Sequence, residues 1–264
     1  MSTIFSSIIT RLTVFFVLAC ALTWSGWLGN HFWPSEYWLL PMNPFGPLIA
    51  APIAIVITGG AAELRAWAGR LVNFTAPLWV YAVALIGPVV IILSSVALAA
   101  MTGAPIRPLP ELALLDLVLA IPFILIAGPL EEEVTFRGYM QHELQQVISP
   151  LTAALIIGVG VVVWHTPLLL LGEMGWPMAV CIVAVSVVYA WLYRMGGSVW
   201  PVVALHFSVN YFGPELFGSM VTGSDGQFVY RLFFMTFYLA WAAWIVWRFG
   251  PSLTGRQTPE LTAA

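Results

Sequence analysis

Residues Leu112–Leu144 read L-A-L-L-D-L-V-L-A-I-P-F-I-L-I-A-G-P-L-E-E-E-V-T-F-R-G-Y-M-Q-H-E-L. From Leu112 to Leu130 the run is apolar apart from Asp116; it then meets Glu131, Glu132 and Glu133, with Arg137 close behind. Charge at the end of so hydrophobic a run is expensive where lipid replaces water, so it needs a partner or a task. If Glu132 to Leu144 is helical, Glu133 and Arg137 stand at i and i+4 and pair on one face, acid on the N-terminal side. Glu132 lies about 100° round the helix from Glu133, outside that pair. One carboxylate is neutralised and its neighbour is left free, the arrangement a buried general base requires. Glu131 and Glu143 read as solvated interfacial acids, and His142 as an exposed histidine. The Glu133–Arg137 pair has an equal claim to be a staple between helices.

Composition places this stretch in a membrane. The chain has 264 residues, 61% of them hydrophobic and 8% charged, with mean hydropathy +0.94. That is the composition of an all-α, integral membrane protein. The nine basic residues are all arginine, and no basic patch of the kind that binds nucleic acid is present. Cys20 and Cys181 fall in apolar runs and read as buried small residues, not as a disulfide or a zinc site. Val17-Leu18-Ala19-Cys20 loosely matches a lipoprotein cleavage box, but the apolar run continues to Leu28, so the segment is read as a retained helix.

About eight apolar segments follow one another: Ile8–Leu28, Phe45–Gly59, Pro77–Ala100, Leu112–Leu130, Leu151–Leu171, Pro177–Arg194, Val199–Phe212 and Phe228–Phe249. Most reach the roughly 20 helical residues a bilayer core needs; the second and seventh are short and either continue or are shielded. Trp24, Trp27, Trp33, Trp38, Trp164, Trp176, Trp200 and Trp247 lie mostly near segment ends, as in an aromatic belt. With the N-terminus cytoplasmic, eight spans put Arg11, Arg65, Arg70, Arg194, Arg248 and Arg256 inside, and Arg107 and Arg231 outside. The positive-inside rule therefore favours both termini in the cytoplasm. The expected organisation is three N-terminal membrane helices over residues 1–110, a catalytic core over 111–213, a last membrane helix over 214–250 and a disordered tail over 251–264. Asn30–Asn43 and Gly213–Gln227 are the longest outside stretches expected.

Two other segments carry polar groups that hydropathy alone would forbid. The fifth holds His165 in V-V-V-W-H-T-P, and the seventh holds His206 and Asn210, i and i+4 on one helix face. Two donors converging there suit a water or a developing oxyanion. A helical hairpin turning at Ser149-Pro150 brings Glu132 and His165 roughly level, about 22–27 Å from the apex. Alone, each histidine is explained by a bond to a neighbouring helix; three spans bearing such groups point to a shared site.

These residues resemble the CPBP family, which includes the type II CAAX prenyl endopeptidases and their bacterial relatives. The family pattern EExxxR is matched by Glu132, Glu133 and Arg137; FxxxH by Val161 to His165, with valine for phenylalanine; and HxxxN by His206 and Asn210. The resemblance covers roughly Leu112 to Phe212 and implies an intramembrane endopeptidase acting near the cytoplasmic leaflet, in a bacterial inner membrane. It implies that Glu132 activates a water, His165 helps hold it, His206 and Asn210 stabilise the oxyanion, and Glu133 and Arg137 support the site. No cofactor is expected. Whether a metal takes part is left open by the residues: zinc accepts a Glu/His/His set, and Glu132, His165 and His206 would be its ligands; the chain has no H-E-x-x-H. The implied partners are the lipid bilayer and a peptide or protein substrate, lipidated or not. The competing readings are a non-catalytic membrane scaffold using the same cavity and a proton-relaying transporter; the latter calls for internal repeats, and none is evident.

Overall fold

The computed structural model describes residues 2–34, 45–109 and 113–254, without the side chains of residues 2–5, 214 and 215. Trp38, residues 110–112 and the tail beyond 254 lie outside them. The tail expected to be disordered from residue 251 is ordered at its start, where Pro251 O accepts the Leu151 N–H at 3.0 Å and Leu253 is fully buried; the expectation for the rest falls outside the described residues. The described chain is helical: α1 (Ser2–Phe32), α2 (Gly46–Leu71), α3 (Leu78–Met101), α4 (Leu114–Leu125), α5 (Glu131–Thr135), α6 (His142–Leu144), α7 (Pro150–Trp164), α8 (Thr166–Leu170), α9 (Trp176–Gly196), α10 (Trp200–Phe212) and α11 (Ser224–Phe249). Two π-helical turns, Ile126–Leu130 and Phe136–Gln141, join α4, α5 and α6 into one interrupted rod.

Six helical stretches among the described residues are long and apolar enough to cross a bilayer: Ser6–Phe32, Gly46–Leu71, Leu78–Met101, Leu114–Leu144, Trp176–Gly196 and Ser224–Phe249. The protein is an integral, multi-pass membrane protein. Pro150–Trp164, at 15 residues, and Trp200–Phe212, at 13, are shorter than a full crossing. The short second segment continues, as one alternative allowed: α2 runs on past Gly60, whose φ of 77° interrupts it. The fifth segment is not continuous to Leu171. Pro167 has no N–H to give the carbonyl one turn back, so α7 ends with His165 as its cap and α8 restarts.

Local sequence sets the other ends. Ser149 caps α7 by accepting the Thr152 N–H at 3.1 Å, with Pro150 in the first turn. Left-handed Gly197 closes α9. Residues Gly213–Gln227, expected as a loop, fold as tight helical turns and the start of α11. They are pinned by Thr222 N–H to Pro105 O at 2.9 Å and Arg107 N–H to Met220 O at 2.8 Å.

Two hydrophobic cores result. One joins α3, α9, α10 and α11; the other joins α1, α2, α7 and the stretch from Val134 to Leu144. Trp164, expected in an aromatic belt, is instead buried in the second core, where its indole N–H donates to Thr23 Oγ1 at 3.0 Å. Glu143 is likewise buried, not solvated, and lies 3.9 Å from Arg11, which also approaches Glu63 at 3.8 Å. His142 is half-buried. By contrast, α4 has no buried residue and packs loosely on the bundle, where Tyr211 Oη donates to Leu117 O at 3.0 Å.

Where α7 and α9 cross, a methyl group on Gly158 would come within 3.0 Å of Val183 Cα and 3.1 Å of Ser186 Cβ. Gly158→Ala is expected to destabilise the bundle by about 1–3 kcal/mol through overpacking, read as a lower melting temperature of the detergent-solubilised protein. An unchanged melting temperature would show that this crossing is looser than described.

Candidate active site

The interrupted rod creates the site. Ala127 (φ −87°, ψ 83°) and Gly128 (φ 123°, ψ −81°) leave helical geometry, and Pro129 follows. The helix restarts at once with Glu131, Glu132 and Glu133 in its first turn, where the dipole favours negative charge. Thr135 Oγ1 donates back to Glu131 O and Glu132 O, each at 2.9 Å.

Glu133 is fully buried and Arg137 is 2% exposed. As their spacing predicts, Arg137 Nη1 lies 3.1 Å from Glu133 Oε2. The guanidinium has further partners on α9: Nη2 donates to Ser186 Oγ at 2.9 Å, and the group stacks 4.6 Å above the Tyr189 ring. The other oxygen of Glu133 faces α10, where His206 Nδ1 donates to Oε1 at 2.7 Å. His206 in turn stacks against Tyr189, ring centres 5.8 Å apart. Three helical elements meet at one buried ion pair.

Glu132 is different. It is half-buried, and among the described residues no hydrogen bond or ion pair ties its carboxylate. Its ligand-capable oxygen nevertheless lies in a group with those of Glu133 and His206, all within 4.8 Å of one another. Asn210, one turn beyond His206, presents its amide to the same place. A Cβ built on Gly128 would stand 3.2 Å from Asn210 Nδ2 and 3.8 Å from Glu132 Oε1.

His165 stands apart from that group. Its Nδ1 is bonded to Val161 O at 2.8 Å, and its ring lies against Trp164 and Trp27, at 4.5 and 5.7 Å between centres. It stays within electrostatic reach of His206. Glu131, expected to be solvated, is fully buried, and neither carboxylate oxygen has a hydrogen-bond partner among the described residues. Gly128, Ser186 and Tyr189 belong to the site and were not singled out by sequence. The G-P pair that interrupts a helical run was the available signal for the first; no local signal marks the other two.

Among the described residues, three ligand-capable side chains lie close enough to share one ion. The residues that converge are Glu132, Glu133 and His206, not Glu132, His165 and His206. Of these, Glu133 is already neutralised by a guanidinium 3.1 Å away and His206 has committed Nδ1 to it. A divalent ion there would displace or face Arg137. Glu132 and one histidine nitrogen are the donors not already engaged, so a zinc, which takes three protein ligands in catalytic sites, would have to share Glu133 with the guanidinium.

A free carboxylate, an imidazole and an amide gathered inside a polytopic helical bundle are groups from which a hydrolase site could be built. Residues 113–212, from the cap of α4 to the end of α10, match the family model described as Type II CAAX prenyl endopeptidase Rce1-like. This stretch of the chain is similar to that family, which is one of proteases. No curated protein matches the chain.

The two neighbouring glutamates should respond oppositely to substitution. Arg137→Ala leaves Glu133 buried without its ion partner and is expected to destabilise the protein by roughly 3–5 kcal/mol. Glu132→Gln touches no tied group and should shift stability by no more than about 0.5 kcal/mol. Thermal unfolding of the two purified variants checks this; equal destabilisation would contradict the division between a tied and a free carboxylate.

Proposed function

We propose that the protein is an intramembrane endopeptidase in which Glu132 is the general base. One observation carries this reading: Glu133 is held by Arg137 and His206, while Glu132, in the next position, is untied and sits beside Asn210. Glu131 also lacks a hydrogen-bond partner among the described residues but is fully buried; Glu132 is the free carboxylate that stays partly accessible, and such a group in a chain this apolar has a task.

In the proposed reaction Glu132 takes a proton from a water, and the water oxygen attacks the scissile carbonyl carbon. The carbonyl π electrons move to oxygen, and the oxyanion is met by the Asn210 amide and by His206. With Nδ1 donating to Glu133, His206 offers Nε2, and it donates through Nε2 only as the imidazolium, for which Glu133 is the adjacent counter-charge. Glu132 then returns its proton to the leaving nitrogen as the C–N bond breaks. Glu133 and Arg137 orient the imidazole and do not touch substrate. His165 positions the site's wall through its contacts with Trp27 and Trp164. No step needs a metal.

The arginine distribution supports a cytoplasmic location for both termini and for the end of the rod that carries Glu143. Glu143 lies beside Arg11, and Glu132 is about 16 Å further along the rod, within the inner half of the bilayer. The loosely packed α4 leads from the lipid to the same point. A peptide or protein substrate held at the membrane, lipidated or not, suits this placement, with residues 111–213 as the catalytic core.

Peptides that accumulate in cells lacking the gene should also accumulate in cells carrying Glu132→Gln. Cleavage of those peptides by the purified variant in proteoliposomes should fall by about 10²–10⁴-fold. Asn210→Ala should lose about 10²–10³-fold, mainly in kcat. Wild-type turnover by Glu132→Gln would overturn the peptidase reading and leave a scaffold. Exhaustive chelation is expected to leave wild-type turnover unchanged; its loss, restored by zinc, would overturn the metal-independent route.

A further inference from the structure

Four side chains of the site close into a ring of contacts. Glu133 Oε2 lies 3.1 Å from Arg137 Nη1, and the Arg137 guanidinium stands 4.6 Å above the Tyr189 ring. That ring packs on His206 with centres 5.8 Å apart, and His206 Nδ1 donates back to Glu133 Oε1 at 2.7 Å. Three members of this circuit are accounted for by the hydrolysis proposed above. Tyr189, on α9, is the fourth, and it has no part in that scheme.

Packing would explain a buried aromatic residue in the first hydrophobic core, to which Tyr189 belongs. It does not explain why two polar partners lie against one ring. The guanidinium and the imidazole come from different elements, the rod and α10, and the imidazole plane is tilted only 32° from that of Tyr189. A cation within about 6 Å of an aromatic centre is drawn to its face, and both groups lie inside that distance.

His206 needs such a support. Its side chain makes one hydrogen bond among the described residues, the one to Glu133. An N–H···O bond tolerates bending of roughly 30° from linear, whereas a catalytic donor has to be held to about 10–20°. The bond therefore decides which nitrogen faces Glu133 and leaves the plane of the ring loosely set. An aromatic face packed on the imidazole narrows that freedom. Tyr189 is itself buried and lies under Arg137, whose Nη2 is bonded to Ser186, one turn back on α9. The face is thus a fixed reference.

We propose that Tyr189 is a positioning residue of the hydrolysis: its ring face sets the plane of the His206 imidazole and thereby aims Nε2 at the oxyanion. This rests on the peptidase reading above and goes beyond it by assigning a further residue to the reaction. Tyr189 touches no substrate, and its hydroxyl is not required.

The test is a double-mutant cycle in proteoliposomes, read on a pool of short synthetic peptides first shown to be cleaved by the wild-type protein. Tyr189→Leu is expected to lower kcat by about 10–100-fold, as a small misplacement of a reacting group does, with KM changed by less than about threefold. Tyr189→Met, an unbranched and adaptable side chain, takes its place if the leucine variant does not fold. Tyr189→Phe restores the face without the hydroxyl and should recover most of the loss. A loss that acts through His206 disappears once the imidazole is gone, so in a His206→Ala background Tyr189→Leu should cost no more than about twofold. In an Asn210→Ala background, which keeps the imidazole, the full loss should remain. A loss that persists undiminished in His206→Ala would mark general damage to the core and overturn the assignment. Wild-type turnover by Tyr189→Leu, or a phenylalanine variant as impaired as the leucine one, would overturn it too. If Glu132→Gln cleaves the pool as the wild type does, the peptidase reading itself falls. If that variant is inactive and the His206 cycle is multiplicative, only the role of Tyr189 falls.

Discussion

The buried pair of Arg137 and Glu133 fixes much of the rest. Two charges taken out of water are tolerated only when their remaining hydrogen-bonding capacity is met as well. The partners here come from separate elements: Ser186 and Tyr189 from α9, and His206 from α10. Satisfying the pair therefore sets the positions of three helical elements relative to one another. It also fixes which ring nitrogen of His206 faces inward, and with it the direction in which the other nitrogen is offered. The pair need not contribute net stability to do this, because moving any one partner away leaves a charge stranded.

Irregular backbone at membrane depth is tolerated where it is buried in protein or lines a cavity. The interruptions here follow that rule except at Ala127, which is exposed. Gly128 and Pro129 are buried, between α5 and α10, and the turn from Phe136 to Gln141 is buried throughout. The α4 portion, which is largely exposed and has no fully buried residue, is regular helix. The rod thus changes character along its axis, from an apolar helix fit for lipid to a broken, charged stretch fit only for the protein interior. That transition coincides with the seam between the two hydrophobic cores, where side chains from both can reach one point.

Periodicity read from the chain reached as far as contacts within one helix. Glu133 with Arg137, and His206 with Asn210, are i,i+4 pairs, and helical geometry alone places each pair on a face. The hairpin at Ser149-Pro150 was legible for a similar reason, since a serine cap followed by proline is local chemistry. What could not be read were contacts between helices. That His206 spends Nδ1 on Glu133, or that His165 caps a helix against Trp164 and Trp27, depends on packing that no spacing encodes. The burial of Glu131, Glu143 and Trp164 was misjudged for a related reason. Hydropathy assigns an acid or an indole near a segment end to the interface, whereas here neighbouring helices cover them. Proline at 167 was a readable stop signal inside an apolar run that hydropathy alone carries through to Leu171.

The charge balance of the cluster bears on why neutral and charged donors are combined. With Glu132 and Glu133 ionised, Arg137 and His206 cationic and the adjacent buried Glu131 uncharged, the group is neutral as a whole before attack. When Glu132 takes the proton of water, its negative charge disappears and an equal one develops on the carbonyl oxygen beside Asn210. Charge is relocated over a few ångströms within a fixed set of dipoles, and the net charge of the interior is unchanged. In a low-dielectric setting that matters more than the strength of any one bond, because creating net charge there is far more costly than moving it. Asn210 can stabilise the arriving charge without gaining or losing a proton, while His206 completes the balance from the other side. On this account the tied glutamate is as necessary as the free one: without Glu133 the imidazolium has no counter-charge of its own, and it would compete for Glu132 as a partner and leave no base.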